Sequence, residues 1–113
     1  MKNHDLLYIK DVLEALGKIG KYTQDVSDAE FLNNDEKQEV VLFNLQIVGE
    51  ASSKLSKGLK DKHPEVQWRK LMRLRNLIVH EYFNVDSREI LYFVKNDLGN
   101  IKKQILEIQK EIE

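Results

Sequence analysis

Apolar residues recur every three or four positions over most of this chain, and that spacing restricts its fold more than any other feature. Residues three and four apart share one face of an α-helix, so each such stripe predicts an amphipathic helix. Glycine and proline, which interrupt helices, number only five and one in 113 residues. The sequence therefore predicts an all-α protein built from long helices.

Four long helices are predicted. The first covers about residues 3–21, the second about 35–55, the third about 66–80 and the fourth about 86–112, and a basic loop at 57–63 precedes the third. No linker or repeat divides the chain, which is long enough for one continuous core. We therefore expect a single domain, residues 1–113, folded as an antiparallel up-and-down four-helix bundle with one extra short helical turn.

The ends of these helices carry recognisable capping residues. Ser27 and Glu30 form a possible Ser-x-x-Glu capping box for the short turn, and Asp86 with Glu89 repeats the pattern at the fourth helix. Pro64 is expected to start the third helix, because a proline lacks only an N–H that is unpaired in the first turn. Candidate caps of the second helix are Asn33, Asn34 and Asp35.

Each predicted helix carries an apolar stripe, and the third is apolar on more than one side, which requires a central position or contact with a second chain. The predicted apolar positions are Leu6, Ile9, Leu13, Leu16 and Gly20; Phe31 and Leu32 in the short turn; Val41, Leu45, Val48 and Leu55, with Val40, Ile47 and Ala51 beside them; Trp68, Leu71, Met72, Leu74, Leu77, Ile78 and Val79; and Leu91, Val94, Leu98, Ile101, Ile105, Ile108 and Ile112.

Composition excludes several classes of function. Without cysteine the chain forms no disulfide, uses no thiolate and binds no zinc through cysteine, which fits a reducing cytoplasm. No stretch approaches the roughly 18 consecutive apolar residues that span a bilayer. His4 and His63 have no partner at metal-ligand spacing, and no pattern indicates a cofactor. We expect a cytoplasmic protein with no metal, cofactor or membrane contact.

Charge is distributed unevenly. Residues 54–80 contain eight basic and two acidic residues, a net +6, whereas the remainder carries −7 and the whole chain −1. A local basic band attracts anions without making the whole molecule bind nucleic acid indiscriminately. Within the third predicted helix, we interpret Arg69, Lys70 and Arg73 as RNA-binding residues. The plainer interpretation of the band is a solvated helix face.

The segment from Arg75 to Tyr82, RNLIVHEY, places polar and titratable side chains at the end of an otherwise apolar helix. At ~100° per residue, Asn76 and His80 lie within about 40° of each other, as do Arg75 and Tyr82, whereas Arg75 and His80 are about 140° apart. Burying such groups without partners would cost about 1–3 kcal/mol each. The segment is therefore expected to line a cleft, with Arg75 and His80 on its two sides.

These groups suit RNA cleavage without a metal. A histidine moves protons near neutral pH, and an arginine binds two phosphate oxygens and stabilises charge that develops on phosphorus. The 2′-hydroxyl of the RNA would attack the adjacent phosphate while His80 moves the proton and Arg75 holds the transition state. Because one histidine is little for both acid and base roles, a twofold dimer is expected to bring two copies to one cleft.

An Arg–His pair alone also has a structural interpretation. Arg75 would then pair with a carboxylate such as Glu50, and His80 would cap the carbonyl groups at the helix end. Likewise, Trp68 is more readily interpreted as a core or interface anchor than as a platform for a stacked base.

The motif from Arg75 to Tyr82 belongs to a longer pattern. Gly49-Glu50-Ala51 lies near the end of the second helix, Pro64 and Trp68 open the third, and Arg75-Asn76-x3-His80-x-Tyr82 is followed by Phe83-Asn84-Val85-Asp86. In order, spacing and overall length this pattern resembles the HepT-like family of the HEPN superfamily.

The resemblance implies an all-α homodimer with an Arg-x4-His-x-Tyr motif at the dimer cleft. It also implies an endoribonuclease toxin of a two-gene toxin–antitoxin system, neutralised by a minimal nucleotidyltransferase (MntA type) that adds AMP to the motif tyrosine. Arg75 and His80 would be the catalytic pair, Asn76 a supporting residue and Tyr82 the modification acceptor. Phosphate added next to Arg75 would occupy the RNA phosphate site and repel the substrate.

Two other hypotheses use the same residues differently. A non-catalytic HEPN module would grip a nucleotide phosphate or serve as the fixed partner of a nucleotidyltransferase. A purely structural helical adaptor would need neither Arg75 nor His80 for binding its partner.

Overall fold

The computed structural model describes residues 2–113, with side chains from His4 onward, and all regular structure in that range is helical. The helices are α1 (Lys2–Thr23), α2 (Asp28–Leu32), α3 (Asp35–Ser53), α4 (Lys57–Lys62), α5 (Trp68–Glu81), α6 (Ser87–Asn96) and α7 (Leu98–Ile112), and a 3₁₀ turn follows α5 at Tyr82–Asn84. The prediction of an all-α protein is confirmed. None of these helices is both long and apolar enough to cross a bilayer.

α1 packs against α3 and α7, and α3 also packs against α5. α1 and α3 are antiparallel, because the end of α1 contacts the start of α3 and the start of α1 contacts the residues just after α3. Lys37 Nζ, near the start of α3, donates to the carbonyl of Tyr22 near the end of α1 at 3.5 Å. At the other end, the amide of Ser56, just beyond α3, donates to Asp5 near the start of α1 at 2.8 Å.

Two contacts likewise show that α5 runs antiparallel to α3. Arg75 contacts Glu50 in the last turn of α3, whereas the hydroxyl of Ser87, beyond the end of α5, donates to the side chain of Gln38 near the start of α3 at 2.7 Å. These two contacts fix the register of the helix that carries the motif.

The core is largely made of the predicted stripes. In α3 the residues Val41, Leu45 and Val48 are fully or almost fully buried, and in α7 so are Ile101, Ile105 and Ile108. In α1 the buried face is centred elsewhere than predicted: Ile9 and Leu16 are buried as expected, together with Val12, Ala15 and Ile19, whereas Leu6 and Leu13 are only half-buried. α1 contacts two long helices at once, so its buried face is broader than one stripe.

The predicted capping box of the short turn is present. The amide of Glu30 donates to Ser27 Oγ at 3.1 Å, and the amide of Ser27 donates to Glu30 Oε1 at 3.3 Å. Phe31 is buried, as predicted, but the predicted burial of Leu32 is wrong, since 37% of that residue is exposed. With five residues, α2 turns only one narrow side toward the core.

The predicted basic loop at 57–63 is wrong, because residues 57–62 form helix α4. Its N-cap is Ser56, whose side chain accepts a hydrogen bond from the amide of Leu59 at 3.2 Å. The Leu59 side chain is buried in the core. A cap and one buried leucine are enough to order a short segment that has too few apolar residues to show a helical period.

The third helix, predicted over about residues 66–80, begins at Trp68, so the predicted position of Pro64 at its start is wrong. Pro64 lies instead in the turn between α4 and α5. The indole Nε1 of Trp68 donates to the carbonyl of His63 at 2.9 Å, and its ring packs against the core. Trp68 is therefore a core anchor, as predicted.

The predicted fourth helix is two helices, α6 and α7, which meet at Asp97. The carboxylate of Asp97 is paired with Lys70 of α5, a contact between helices that the sequence period does not reveal. Asp86 caps α6 as predicted, but the reciprocal bond expected from Glu89 is absent from the described contacts. Glu89 Oε2 instead accepts from Arg73 Nη2 at 2.8 Å.

The contact between Asp5 and Ser56 yields a test of this fold. Asp5 is buried and accepts from both the amide and the hydroxyl of Ser56, at 2.8 and 2.7 Å. Asp5→Ala is expected to lower the free energy of unfolding by about 1–3 kcal/mol, because it leaves both donors without their partner. Urea denaturation measures this, with exposed Asp11→Ala as the control. Equal stability of the two variants would contradict the proposed importance of the contact.

Candidate functional site on helix α5

The predicted site residues of α5 fall on two different sides of the helix. Arg69, Arg73, Asn76 and His80 are all exposed. At ~100° per residue they lie within about 60° of one another, so they form one solvent-facing stripe. We call these four residues the exposed stripe.

Arg75 faces a different direction, toward α3. Its Nη1 donates to Glu50 Oε1 at 3.0 Å, and 24% of its side chain is exposed. Its Nε atom is buried and has no partner among the described residues. The structural interpretation of the Arg–His pair predicts that Arg75 pairs with Glu50, and this pairing is confirmed.

Gly49 makes the position of Arg75 possible. A Cβ built on Gly49 would lie 2.3 Å from Arg75 Cβ, 2.7 Å from Arg75 Cγ and 3.2 Å from the carbonyl oxygen of Leu71. Real Cβ atoms do not approach other carbons so closely, so only glycine fits between α3 and α5 at this point. The backbone of α3 thus lies directly against the base of the Arg75 side chain at the residue that precedes Glu50.

His80 lies in the last turn of α5 and is open to solvent. Among the contacts described for residues 4–113, none is a hydrogen bond of its imidazole, so the alternative role as a cap of helix-end carbonyls is not observed. Its ring nitrogens are accessible to a molecule that binds at this side of α5. The angle of about 140° between His80 and Arg75 places the two residues on different sides of one helix.

Tyr82 follows the α-helix rather than continuing it. Glu81 has φ −131° and ψ 33°, and Tyr82 begins the 3₁₀ turn, so the helical angle that would set Tyr82 beside Arg75 does not apply. Tyr82 instead lines two neighbouring cavities against α3, of about 280 and 620 Å³, both of which also include Glu39. It is 36% exposed, and its ring packs edge-to-face with that of Phe83, with centroids 5.3 Å apart.

The three predicted RNA-binding residues differ in their surroundings. Lys70 is paired with Asp97, and Arg73 with Glu89 at 2.8 Å, so each of these cations faces a carboxylate. Arg69 is exposed and makes no ion pair among the contacts described. The basic stretch of the sequence is therefore neutralised in part by acidic residues of α6 and its junction with α7.

Metal-ligating side chains are not grouped in the described part of the chain: no three of its His, Asp or Glu residues lie together in a way that would hold an ion. His63 lies near two carboxylates, with Nδ1 3.2 Å from Glu65 Oε2 and Nε2 3.4 Å from Glu111 Oε2.

Two features of this region escaped the sequence analysis. Gly49 was named only as part of a motif, although a glycine in the interior of a helix indicates close approach of another backbone. Phe83, which is 94% exposed beside Tyr82, was also named only as part of the motif. An exposed large apolar side chain next to a polar site is typical of a surface that contacts another molecule.

Comparison with known proteins gives consistent matches. The family model described as "Ribonuclease HepT-like" matches residues 12–108. The chain is 34% identical over 110 residues to the "Probable ribonuclease HepT" of Thermococcus cleftensis, covering 97% of this chain and all of that protein. It is 34% identical over 98 residues to "Putative RNase MJ1380" of Methanocaldococcus jannaschii, covering 87% of this chain and 90% of that protein. "Putative RNase MJ0127" of the same organism is 35% identical over 106 residues, covering 94% of this chain and 88% of that protein. No solved structure matches significantly.

Gly49→Ala tests the close approach of α3 and α5. The added methyl group has no room at Arg75, so the free energy of unfolding is expected to fall by about 1–3 kcal/mol, as in other overpacked sites. The matched control is Gly17→Ala in α1, where a Cβ meets nothing within 4 Å; there, stability is expected to rise by about 0.5–1 kcal/mol. Thermal and urea denaturation measure both changes. A Gly49→Ala protein at least as stable as Gly17→Ala would contradict the packing described.

Proposed function

The chain belongs to the ribonuclease HepT-like family, and we propose that it is an endoribonuclease that cleaves RNA without a metal ion at the C-terminal end of α5. The observation that carries the proposal is the arrangement of the motif residues. His80 is exposed, has no hydrogen-bond partner among the residues that the structure describes, and lies on the same stripe as Asn76, while Arg75 is held on the neighbouring side of the helix by Glu50. The names of the similar proteins support RNA as the substrate.

Each motif residue has a definite part in this reaction. The 2′-hydroxyl of the substrate attacks the adjacent phosphate and the bond from phosphorus to the 5′-oxygen breaks, which leaves a 2′,3′-cyclic phosphate and a 5′-hydroxyl. His80 takes the proton from the attacking 2′-hydroxyl or gives one to the leaving 5′-oxygen. Arg75 donates hydrogen bonds to the phosphate oxygens as negative charge builds up on them. Asn76, one turn before His80, is a supporting residue that orients the imidazole or the phosphate. Arg69 and Arg73, further along the exposed stripe, and Lys70 contact the phosphates that flank the scissile bond.

The catalytic unit is proposed to be a homodimer of up-and-down four-helix bundles. Two observations support this. Arg75 and His80 lie on different sides of α5, so one subunit does not place both residues on a single face. A second copy packed against this end of α5 would add its own Arg75 and His80 to the same cleft. Phe43, Val79 and Phe83 are exposed apolar side chains on α3, on α5 and just after α5, and a partner subunit would cover such residues.

The biological role proposed is that of a toxin in a HepT/MntA-type toxin–antitoxin pair. Its partner, a minimal nucleotidyltransferase, transfers AMP from ATP to the hydroxyl of Tyr82 and releases pyrophosphate. That hydroxyl belongs to a partly exposed side chain in the turn directly after α5. The added phosphate carries negative charge to the end of the motif helix and repels RNA.

RNA cleavage in EDTA tests the proposed activity. The purified, unmodified protein is expected to degrade RNA, and His80→Ala is expected to reduce kcat by about 10²–10⁴-fold because proton transfer is lost. Arg75→Ala is expected to be at least as defective. His4→Ala, which removes an exposed histidine from α1, serves as the control and is expected to cleave normally. Intact RNA with the wild-type protein would refute the proposal, and nucleotide binding by calorimetry without cleavage would favour a non-catalytic nucleotide-binding module.

Mass spectrometry tests the proposed modification. When the chain is coexpressed with an active minimal nucleotidyltransferase, its intact mass is expected to increase by one or more AMP residues, which map to Tyr82. Tyr82→Phe is expected to prevent this change. Tyr92→Phe is the matched control, because Tyr92 is more exposed than Tyr82, at 60% against 36%, yet lies outside the motif. Modification at Tyr92, or at no tyrosine, would contradict the proposed regulation.

A further inference from the structure

We propose that Glu50 of α3 is a positioning residue that sets the orientation of the Arg75 guanidinium for the phosphate of the substrate. This inference rests on the proposed function, in which Arg75 contacts that phosphate. It starts from one contact between two helices: Glu50 Oε1 accepts from Arg75 Nη1 at 3.0 Å.

The side chain of Arg75 is held at both ends. At its base, Cβ and Cγ lie against the backbone of Gly49, at a distance that leaves no room for a methyl group. At its tip, Glu50 holds one nitrogen of the guanidinium. An arginine side chain otherwise loses much conformational entropy when it is fixed on a substrate. Two successive residues of α3 therefore impose this ordering on Arg75 before any RNA binds.

The pairing also determines which donors remain available. A guanidinium is planar and carries five N–H groups, so fixing one nitrogen restricts the plane of the whole group. Nε is buried without a partner, and Nη1 uses a hydrogen on Glu50. The Nη2 group has no partner among the described contacts, so its two hydrogens and the second hydrogen of Nη1 are left to bind phosphate oxygens.

Stability alone does not account for a carboxylate at this place. Glu50 lies in the last turn of α3, where the helix dipole disfavours negative charge. Its side chain is 43% exposed and that of Arg75 24%, and ion pairs that reach the solvent add little to folding stability. A carboxylate near a phosphate site also opposes RNA binding. Orientation of Arg75 is the benefit that offsets these two unfavourable effects.

Steady-state kinetics on Glu50→Gln and Glu50→Ala, with RNA in EDTA, test the inference. We expect kcat to fall about 10–100-fold in Glu50→Ala, because a displacement of a reacting group by about 1 Å costs on the order of 100-fold. Glu50→Gln retains an acceptor oxygen and is expected to lose less. KM is expected to stay constant or decrease in both variants, since a negative charge near the RNA is removed.

The matched control is Glu111→Gln. Glu111 has a similarly exposed side chain, 39% against 43%, and pairs with Lys62 at 2.6 Å rather than with a motif residue. This variant loses the same charge and is expected to keep the kcat of the wild type. An unchanged or increased kcat in both Glu50 variants, or a loss equal to that of Glu111→Gln, would overturn the inference.

A second measurement does not depend on cleavage. In the NMR spectrum of the wild type, the guanidinium protons of Arg75, assigned with Arg75→Lys, are expected to be protected from exchange with solvent. They are expected to lose that protection in Glu50→Ala. Equal protection in the two proteins would overturn the positioning role of Glu50, whether or not the wild type cleaves RNA. A wild type that cleaves no RNA would by itself refute only the proposed function.

Discussion

The close approach of α3 to α5 at Gly49 holds Arg75 against α3 and thereby orients the helix that carries the motif. Because Gly49 has no side chain, the base of the Arg75 side chain lies directly against α3 and its guanidinium reaches Glu50. Leu71, Leu74 and Ile78 are buried on the core side of α5. With those two sides of the helix occupied, Asn76 and His80 can only face the solvent. The angle between Arg75 and His80 follows from their spacing along the helix, and the packing determines that Arg75 is the one that faces α3.

Most of the cations on α5 are paired with nearby carboxylates. The basic stretch of the sequence does not become a uniformly basic surface, because Lys70, Arg73 and Arg75 are each paired with a carboxylate from another part of the chain. Such pairs order the cations at the cost of long-range attraction for RNA. A near-neutral protein of this kind would bind RNA through a few well-placed phosphate contacts, with a weak dependence on salt. Selectivity for a particular RNA would then depend on its shape at the cleft.

Sequence periodicity predicted the long helices and most of the core, because burial along a helix repeats every three to four residues whatever packs against it. The capping box at Ser27 was likewise predictable from local hydrogen bonding. Contacts between distant residues were not. Asp97, where the predicted fourth helix breaks, and Glu89 both pair with cations on α5, and the direction of Arg75 depends on a glycine 26 positions earlier. A helical angle separates two residues but does not say which one faces a neighbouring helix.

The chemistry at the ends of the cleaved RNA tests the central claim most directly. If the 2′-hydroxyl attacks the phosphate while His80 moves its proton and Arg75 stabilises the charge, the products of cleavage in EDTA carry 2′,3′-cyclic phosphate and 5′-hydroxyl ends. A substrate with a single 2′-deoxy nucleotide at the cleavage position then stays intact, although it binds the protein as well as the all-ribose RNA does. Products with 5′-phosphate and 3′-hydroxyl ends, or cleavage of the deoxy-substituted substrate at that position, would contradict the account.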